Sequence, residues 1–301
     1  MLTAPPSPSD TEVLAAVRTH WATDAAAAVY LPVGFGAHHW RIDDASGPVL
    51  FATVDADTEL RPLAEAAAAY GAAARLQAAG VRGVVAPVPS SAGTAVVQLD
   101  GAGLSVTPWL RGTTPSEHEA RAHAAETAEL LRGLHAAQGD GVPRWRTRVR
   151  PGLADAIAEA TAGPWRSGPF GEPARRAIRS RLAEILTWTG RHAALVERAL
   201  AVEWVPTHGE PHHANQLRTP AGLVLVDWES LRLAPPERDH LDLPSDLRRE
   251  VGSRDWAVEL FEWEWRLTEI DEYLEWFRRR HSGGPDDEAA FVGLQEELNI
   301  A

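Results

Sequence analysis

The sequence contains no cysteine, no lysine and a single methionine among its 301 residues. Without cysteine the chain forms no disulfide and carries no thiolate chemistry. All 29 residues of the lysine and arginine class are arginine. A site that needs a lysine ammonium must therefore be built in another way.

Long apolar runs are also missing, and residues 1–6 lack the basic region and apolar core of a secretory signal. We therefore expect a cytoplasmic protein that does not bind membranes. The formal net charge of −13 disfavours nucleic acid as a partner, because a phosphate backbone would be repelled. The same charge is compatible with a cationic small molecule. The length suffices for one large domain or two lobes.

The hydrophobic pattern predicts an α+β protein. Ser9 and Glu12 form a capping-box pattern that opens a first helix. Six short runs are candidate strands, of which the fourth contains Pro87, and proline cannot donate to a strand ladder. In chain order these runs are 27–33, 38–43, 49–54, 84–88, 95–99 and 104–109, with a helix over 60–79 after the third.

The second part of the chain is predicted to be mainly helical. Ser116 and Glu119 cap a helix that reaches about His135, and further helices are expected over 153–162, 173–201 and 255–279. The last helix has an apolar stripe, and most of its acids are expected to be solvated. Glu262–Arg266 and Glu275–Arg279 are ready i,i+4 pairs on it.

The most informative segment contains two short apolar runs joined by a turn. Residues 216–218 and 223–226 read as strands connected by Thr219-Pro220-Ala221-Gly222. Pairing Arg218 with Leu223 places Asn215 opposite Val226, so that Asp227 emerges beside Asn215. Glu210 lies just before, in a loop that Pro211 keeps from becoming a helix. Two acids and an amide oxygen at one end of a hairpin can hold Mg²⁺ and orient a hydroxyl.

This segment resembles the aminoglycoside phosphotransferase family, which shares the bilobal architecture of protein kinases. The resemblance rests on the His208-Gly209-Glu210 loop, Asn215, the hairpin and Asp227, and residues 233–239 (Leu-Ala-Pro-Pro-Glu-Arg-Asp) resemble the spectinomycin phosphotransferase branch. It implies a small antiparallel-sheet lobe over 1–107 and a larger, mainly helical lobe over 108–301.

The resemblance also implies roles for these residues. Glu210 would be the catalytic base, Asn215 and Asp227 the Mg²⁺ ligands, and His208 and Asp239 would hold the catalytic loop in shape. Most of the family has aspartate at the position of Glu210. The longer side chain reaches roughly 1.5 Å further, and its acidity is similar.

On the nucleotide side, the resemblance places Gly34, Phe35 and Gly36 in a turn whose backbone covers the phosphates of ATP, or of GTP as the alternative. His38 and His39 follow the turn and either donate to phosphate or lie along the strand. Pro108, Trp109 and Leu110 would form the hinge that offers backbone groups to the purine.

The third strand departs from the family pattern. Thr53 stands where the family has a lysine that grips the α- and β-phosphates. The usual acidic partner of that lysine would be Glu65 or Glu59, here without a cation. Losing one preorganised donor costs about 10²–10³ in rate. Either another group replaces the lysine, with Arg41, Arg61, a histidine of the glycine turn and a second Mg²⁺ as candidates, or the chain binds ligand or nucleotide without transfer.

The acceptor is predicted to be a hydroxylated, cationic small molecule, plausibly an aminocyclitol or aminoglycoside antibiotic. Glu229, Glu262 and Trp263 are the candidate acceptor contacts. A metabolic kinase of a sugar or an amino alcohol fits the same residues, because pocket shape sets the acceptor. A zinc site built from His208, His212 and His213 with Glu210 is disfavoured, because zincin spacing is missing and Pro211 blocks the helix that such spacing requires.

Overall fold

An antiparallel sheet of five strands forms the N-terminal part of the chain. The computed structural model describes residues 1–21, 23–34, 36–58 and 61–299. After helix α1 (Asp10–Trp21), the strands are β1 (Ala27–Leu31), β2 (His38–Asp44), β3 (Gly47–Ala56), β4 (Val97–Leu99) and β5 (Ala102–Pro108), in the sheet order β1-β2-β3-β5-β4. The capping box predicted for α1 is present, since Ser9 and Glu12 bond to each other's backbone N–H.

The fourth of the six candidate strands, predicted over 84–88, is wrong. Val84 makes only an isolated bridge with Leu225. The N–H groups of this segment bond in turn to Leu225, the Gln77 side chain and Val106, so no single neighbouring strand pairs with it. Pro87 lacks an N–H, which removes one ladder position.

Helix α2 (Leu63–Ala78) follows β3, as predicted, although it begins later than expected. Pro62, at its N-cap, has extended dihedrals that start the helix at Leu63. Leu60, the predicted first residue, lies outside the described residues. At the other end, Gly80 has φ +81°, the left-handed conformation in which glycine ends a helix.

The predicted helix from Ser116 to His135 is two helices, α3 (Glu117–Ala122) and α4 (Ala124–His135). The predicted capping box at Ser116 and Glu119 is present. The break lies at His123, whose backbone leaves helical values (φ −114°, ψ 20°). Its ring nitrogen bonds to the Glu119 carbonyl at 2.8 Å, which is a local alternative to helical bonding.

Contacts divide the chain into two compact units, 1–145 with 203–253 and 146–202 with 254–301. The lobe boundary predicted between residues 107 and 108 stays a prediction. The first unit also contains the pair β6 (Val205–Thr207) and β9 (Arg232–Ala234), the hairpin β7 (Gln216–Thr219) and β8 (Gly222–Leu225), and helix α8 (Ser245–Glu250). Helices α2 and α4 share a buried core with Leu223, Leu225, Trp228 and Leu231, which anchors the hairpin and the segment after it.

The second unit is helical, with α5 (Leu153–Ala160), α6 (Gly171–Ser180), α7 (Leu182–Ala199), α9 (Asp255–Arg278) and α10 (Pro285–Leu298). The single helix predicted over 173–201 is α6 plus α7, because the backbone at Arg181 is not helical (φ −110°, ψ 13°). Helix α10 was not predicted. None of the described helices is both long and apolar enough to cross a membrane.

Helix α9 buries the predicted apolar stripe, with Leu260, Leu267, Ile270, Leu274 and Phe277 fully enclosed. Two acids expected to be solvated are instead buried. Asp271 accepts from Arg150 at 2.7 Å, and Glu264 lies 3.4 Å from the His192 ring. Arg266 interacts electrostatically with Glu262, as the predicted pair requires, and also donates to the Glu297 carbonyl of α10 at 2.8 Å. Glu275 pairs with Arg278, three residues on, and not with the predicted Arg279.

Candidate active site

The hairpin has the predicted register and brings Asn215 and Asp227 to its open end. Arg218 pairs with Leu223, and Gln216 pairs with Leu225. Beyond the last pair, the Val226 N–H donates to the Asn215 carbonyl at 3.0 Å. The Asn215 side-chain amide donates to the Glu210 carbonyl at 3.0 Å. The three residues are thus linked through the backbone, and this link does not use Oδ1 of Asn215.

Asp239 braces the loop that carries Glu210. Its carboxylate is buried and accepts the N–H of His208 at 3.0 Å, the N–H of Gly209 at 2.6 Å and the His135 ring at 2.8 Å. Burial by itself would raise the pKa of Asp239, but the bond and charge of His135, together with His208 and the Gly209 N–H, lower the pKa below its ordinary value. The carboxylate therefore stays ionised in the folded protein. His135 was not singled out from the sequence, because 104 residues separate it from Asp239.

His208 connects this loop to the segment after β8. Its Nε2 lies 2.9 Å from the Val226 carbonyl, and its Nδ1 accepts the Glu210 N–H at 3.3 Å. A carbonyl only accepts, so Nε2 carries the proton and the ring is neutral. Burial lowers the pKa of His208, which agrees with a neutral ring. The ring also packs on Trp228, with 4.5 Å between centroids.

Gly209 has two reasons to be glycine. Its φ is +98°, a conformation that other residues rarely adopt. A Cβ at this position would also overlap the guanidinium of Arg238. That guanidinium donates to the Ser230 carbonyl at 2.7 Å and to the Thr207 hydroxyl at 3.2 Å, so it cannot move without cost.

Glu210 is held by a residue that the sequence did not point to. The Ser230 hydroxyl donates to Oε1 of Glu210 at 2.8 Å. This bond fixes one carboxylate oxygen of the predicted base. The signal in the sequence is slight, because Ser230 is only the residue three after Asp227.

Carboxylates crowd around Asp227, which has an unusual positive φ of 64°. Asp227 keeps an exposed surface, but the dense protein around its carboxyl raises the pKa well above the ordinary value, and the charges of Glu229, Glu210 and Asp55 raise it further. Asp55, at the end of β3, has its pKa raised to about 7 by burial and by Glu229. The sequence did not single out Asp55. Repulsion of this kind marks functional sites more often than structural ones.

On the nucleotide side, the glycine turn has the backbone that its sequence predicts. Gly34 and Gly36 have φ values of +70° and +90°. Phe35, also predicted to bind the nucleotide, lies outside the described residues. Arg61 packs against this turn, since a Cβ on Gly36 would lie 2.9 Å from its Nη1.

Thr53 lies on β3 opposite His39, and its hydroxyl is 3.2 Å from Nδ1 of that ring. Burial lowers the pKa of His39 to about 4, so the ring is neutral near pH 7. The position expected for a lysine therefore holds a neutral pair.

The expectation that the acid on α2 lacks a cation is wrong for Glu65. Arg232, at the start of β9, donates to Glu65 at 2.9 Å. Arg232 also donates to the Glu229 and Leu231 carbonyls. This pair joins α2 to the segment after Asp227 across 167 residues. The alternative acid, Glu59, lies outside the described residues.

The hinge residues follow β5. Pro108 ends the strand and has no N–H, and the Trp109 N–H donates to the Val49 carbonyl at 2.9 Å. The Trp109 N–H is thus occupied within the sheet. The carbonyls of Pro108 to Leu110 and the N–H of Leu110 are the groups left for a purine, and this contact stays a prediction.

Comparison with known proteins decides the family. The sequence model of the phosphotransferase enzyme family matches residues 29–279. The chain belongs to this family. The protein StrN of Streptomyces griseus is 35% identical over 111 residues, which are 37% of this chain and 31% of StrN. That match spans about a third of StrN's length.

Solved structures of phosphotransferases share the fold. A spectinomycin phosphotransferase in complex with ADP and spectinomycin has a TM-score of 0.67 at 13% identity, covering 96% of this chain and 94% of its own. The GDP complex of an aminoglycoside 2′-phosphotransferase has a TM-score of 0.58 at 13% identity, covering 96% and 98%. The predicted fold class, a sheet-containing N-terminal part and a mainly helical C-terminal part of protein-kinase-like type, is confirmed.

The residues of this phosphotransferase family member fit Mg²⁺ when the nucleotide contributes ligands. Among the described residues, no three His, Cys, Asp or Glu side chains form a metal site by themselves. Mg²⁺ in nucleotide sites takes one or two carboxylates, with phosphate oxygens and water completing the shell. Asp227 and Asn215 supply such oxygens. A divalent cation would also relieve the carboxylate repulsion that raises the pKa of Asp227.

The predicted acceptor contacts fall in different units. Glu229 is in the first unit, 3.8 Å from Arg61. Glu262 and Trp263 are on α9 in the second unit, where Glu262 is exposed. Trp263 stacks on Trp188 at 5.5 Å and donates to Glu259 at 3.2 Å. Its ring is thus partly engaged in packing.

Proposed function

We propose that this protein transfers the γ-phosphoryl group of ATP, with GTP as the alternative donor, to a hydroxyl of an aminocyclitol or aminoglycoside antibiotic. The observation that carries the proposal is the linked arrangement of Glu210, Asn215 and Asp227, held by His208 and Asp239. The solved neighbours that bind spectinomycin or kanamycin support this acceptor class. The net charge of −13 supports a cationic acceptor.

In the proposed reaction Glu210 takes the proton of the acceptor hydroxyl as that oxygen bonds to the γ-phosphorus. The bond from the γ-phosphorus to the bridging oxygen breaks, and its electron pair leaves with ADP. Ser230 orients the carboxylate of Glu210 through one oxygen. Asn215 and Asp227 would hold Mg²⁺, which would supply positive charge to the phosphates.

The other proposed contacts bind the nucleotide and the acceptor. Gly34 and Gly36 cover the phosphates with their turn, and the hinge at Pro108 to Leu110 contacts the purine. The hinge would also mark the boundary between lobes over 1–107 and 108–301. Glu229, Glu262 and Trp263 are the proposed acceptor contacts.

A second candidate is a family member that binds nucleotide without transfer. The observation in its favour is the neutral Thr53–His39 pair at the position of the family lysine. The third candidate is a metabolic kinase of a sugar or amino alcohol. Its reaction would be the same as in the first proposal, and only the acceptor would differ.

The test measures release of ADP from ATP, or of GDP from GTP, with Mg²⁺ over a panel of aminocyclitols, aminoglycosides, sugars and amino alcohols. We expect turnover with one of the antibiotics and its loss in Asp227→Ala. Asp242→Ala is the control, because Asp242 is exposed. Nucleotide binding without turnover over the whole panel would favour the second candidate, and turnover confined to a sugar or amino alcohol would favour the third.

A further inference from the structure

The part of the site where the proposed function places the phosphates is rich in carboxyl groups, which would repel a polyphosphate. Asp55, Glu210, Asp227 and Glu229 act on one another electrostatically. A nucleotide brought here by the proposed function adds several negative charges, and like charges at close range repel. The chain has no lysine to offset them. A positively charged side chain at the phosphates must therefore be an arginine or a protonated histidine.

Arg61 lies where this positive charge is needed. Its Nη1 is 3.8 Å from Oε1 of Glu229. The same nitrogen packs on the glycine turn, 2.9 Å from where a Cβ on Gly36 would lie. The side chain is 38% exposed, so a ligand can reach it.

The guanidinium of Arg61 thus lies between the glycine turn and the carboxylates after β8. In the proposed function, the polyphosphate lies between the same two features. We propose that Arg61 binds the nucleotide phosphates and supplies the positive charge that the threonine on β3 cannot. This inference rests on the proposed function and adds a residue to it.

The other candidate side chains bond to different groups. Arg41 donates from Nε and Nη2 to both oxygens of Asp43, at 2.9 Å each. Arg232 is bonded to Glu65 and to two backbone carbonyls. His39 is neutral near pH 7, because burial lowers its pKa to about 4. It has an N–H to offer but no charge.

The test compares Arg61→Gln with Arg41→Gln by isothermal titration with adenosine and ADP, or with guanosine and GDP if the wild type prefers guanine. One lost bond to a charged group is worth about 1.5–3 kcal/mol, or roughly 10- to 150-fold in affinity. We expect Arg61→Gln to weaken ADP binding by roughly that factor, with and without Mg²⁺. Adenosine affinity should stay within about twofold of the wild type, and Arg41→Gln should leave both affinities within that range.

The ratio of adenosine to ADP affinity is the decisive quantity, because a misfolded variant weakens both ligands together. Thermal melting of each variant checks that it folds. An unchanged ratio in Arg61→Gln would overturn the inference while leaving the proposed function standing. A wild-type protein that binds no nucleotide would instead overturn the proposed function itself.

Discussion

Replacing Asp239 by asparagine tests whether this carboxylate holds the catalytic loop. The carboxylate accepts three hydrogen bonds, with Oδ1 facing the Gly209 N–H and Oδ2 facing the His208 N–H and the His135 ring. An asparagine has one oxygen and one NH₂ group. In either orientation, its NH₂ faces a buried backbone N–H, either that of Gly209 or that of His208. One buried donor is therefore left without an acceptor.

The expected fall in the free energy of unfolding has two causes. A stranded buried donor costs about 1–3 kcal/mol, and the remaining bonds lose their charge assistance, about 1 kcal/mol. We expect Asp239→Asn to lower the free energy of unfolding by about 2–4 kcal/mol at pH 7, and to lower kcat as the loop loses its geometry. Urea denaturation followed by circular dichroism measures the first quantity. Asp242→Asn, three residues further along and exposed, should stay within about 0.5 kcal/mol of the parent.

The pH dependence provides a second check on the same residue. The pKa of Asp239 is lowered in the folded state, so its stabilising contribution is present above the unfolded value, about 3.9. That contribution is lost as pH falls through the folded pKa. The difference in stability between parent and Asp239→Asn should therefore shrink in strongly acidic buffer. A loss below about 1 kcal/mol at pH 7, or one that grows on acidification, would refute the reasoning.

Three further predictions concern neighbouring residues. Gly209→Ala should lower the free energy of unfolding by at least about 1–3 kcal/mol, because the φ of Gly209 is +98° and an added Cβ would meet Arg238. Gly133 is the control, since it lies on an exposed helical position with no atom near its Cβ. Gly133→Ala should raise the free energy of unfolding by about 0.5–1 kcal/mol in the same denaturation assay. Glu210→Ala should reduce kcat by about 10²–10⁴-fold and leave the affinity for ADP nearly unchanged. Glu203→Ala is the control, because Glu203 is exposed. A large fall in ADP affinity with intact turnover would show that the role of Glu210 is misassigned. Asp55 has a folded pKa raised to about 7, so its ionisation destabilises the fold as pH rises from about 4 to 7. Asp55→Asn should therefore be more stable than the parent at pH 8 and equal to it near pH 4, and equal pH profiles would contradict this origin of the shift.

The groups around the position of the family lysine show how this chain is built without that residue. In the family resemblance, one lysine contacts both phosphate and the acid on the following helix. Here Glu65 pairs with Arg232, and Arg61 lies between the glycine turn and the carboxylates. The position of the lysine itself holds Thr53, bonded to a neutral histidine. Arginine is well suited to both tasks, because its planar guanidinium binds carboxylate and phosphate alike.

Local sequence fixed those features that depend on nearby residues. The hairpin register follows from a short turn at Pro220 and Ala221 between two apolar runs. The two capping boxes follow from serine and glutamate three residues apart. Gly80 ends α2, and the stripe of α9 is buried, because helical period and glycine conformation are properties of the local chain. These features sufficed to place Asn215, Asp227 and Glu210 near one another.

The tertiary structure alone decided the contacts between distant segments. The bond of His135 to Asp239, the pair of Glu65 and Arg232, and the approach of Asp55 to Asp227 join residues about a hundred or more positions apart. The breaks at His123 and Arg181 also interrupt sequences whose local pattern continues as helix. No periodicity encodes such contacts, because they depend on how separate elements pack and not on the spacing within one element. For this reason the sequence could nominate Arg41 and Arg61 equally. Only the folded chain separates them, because Arg41 pairs with Asp43 of its own strand whereas Arg61 lies beside the glycine turn and Glu229.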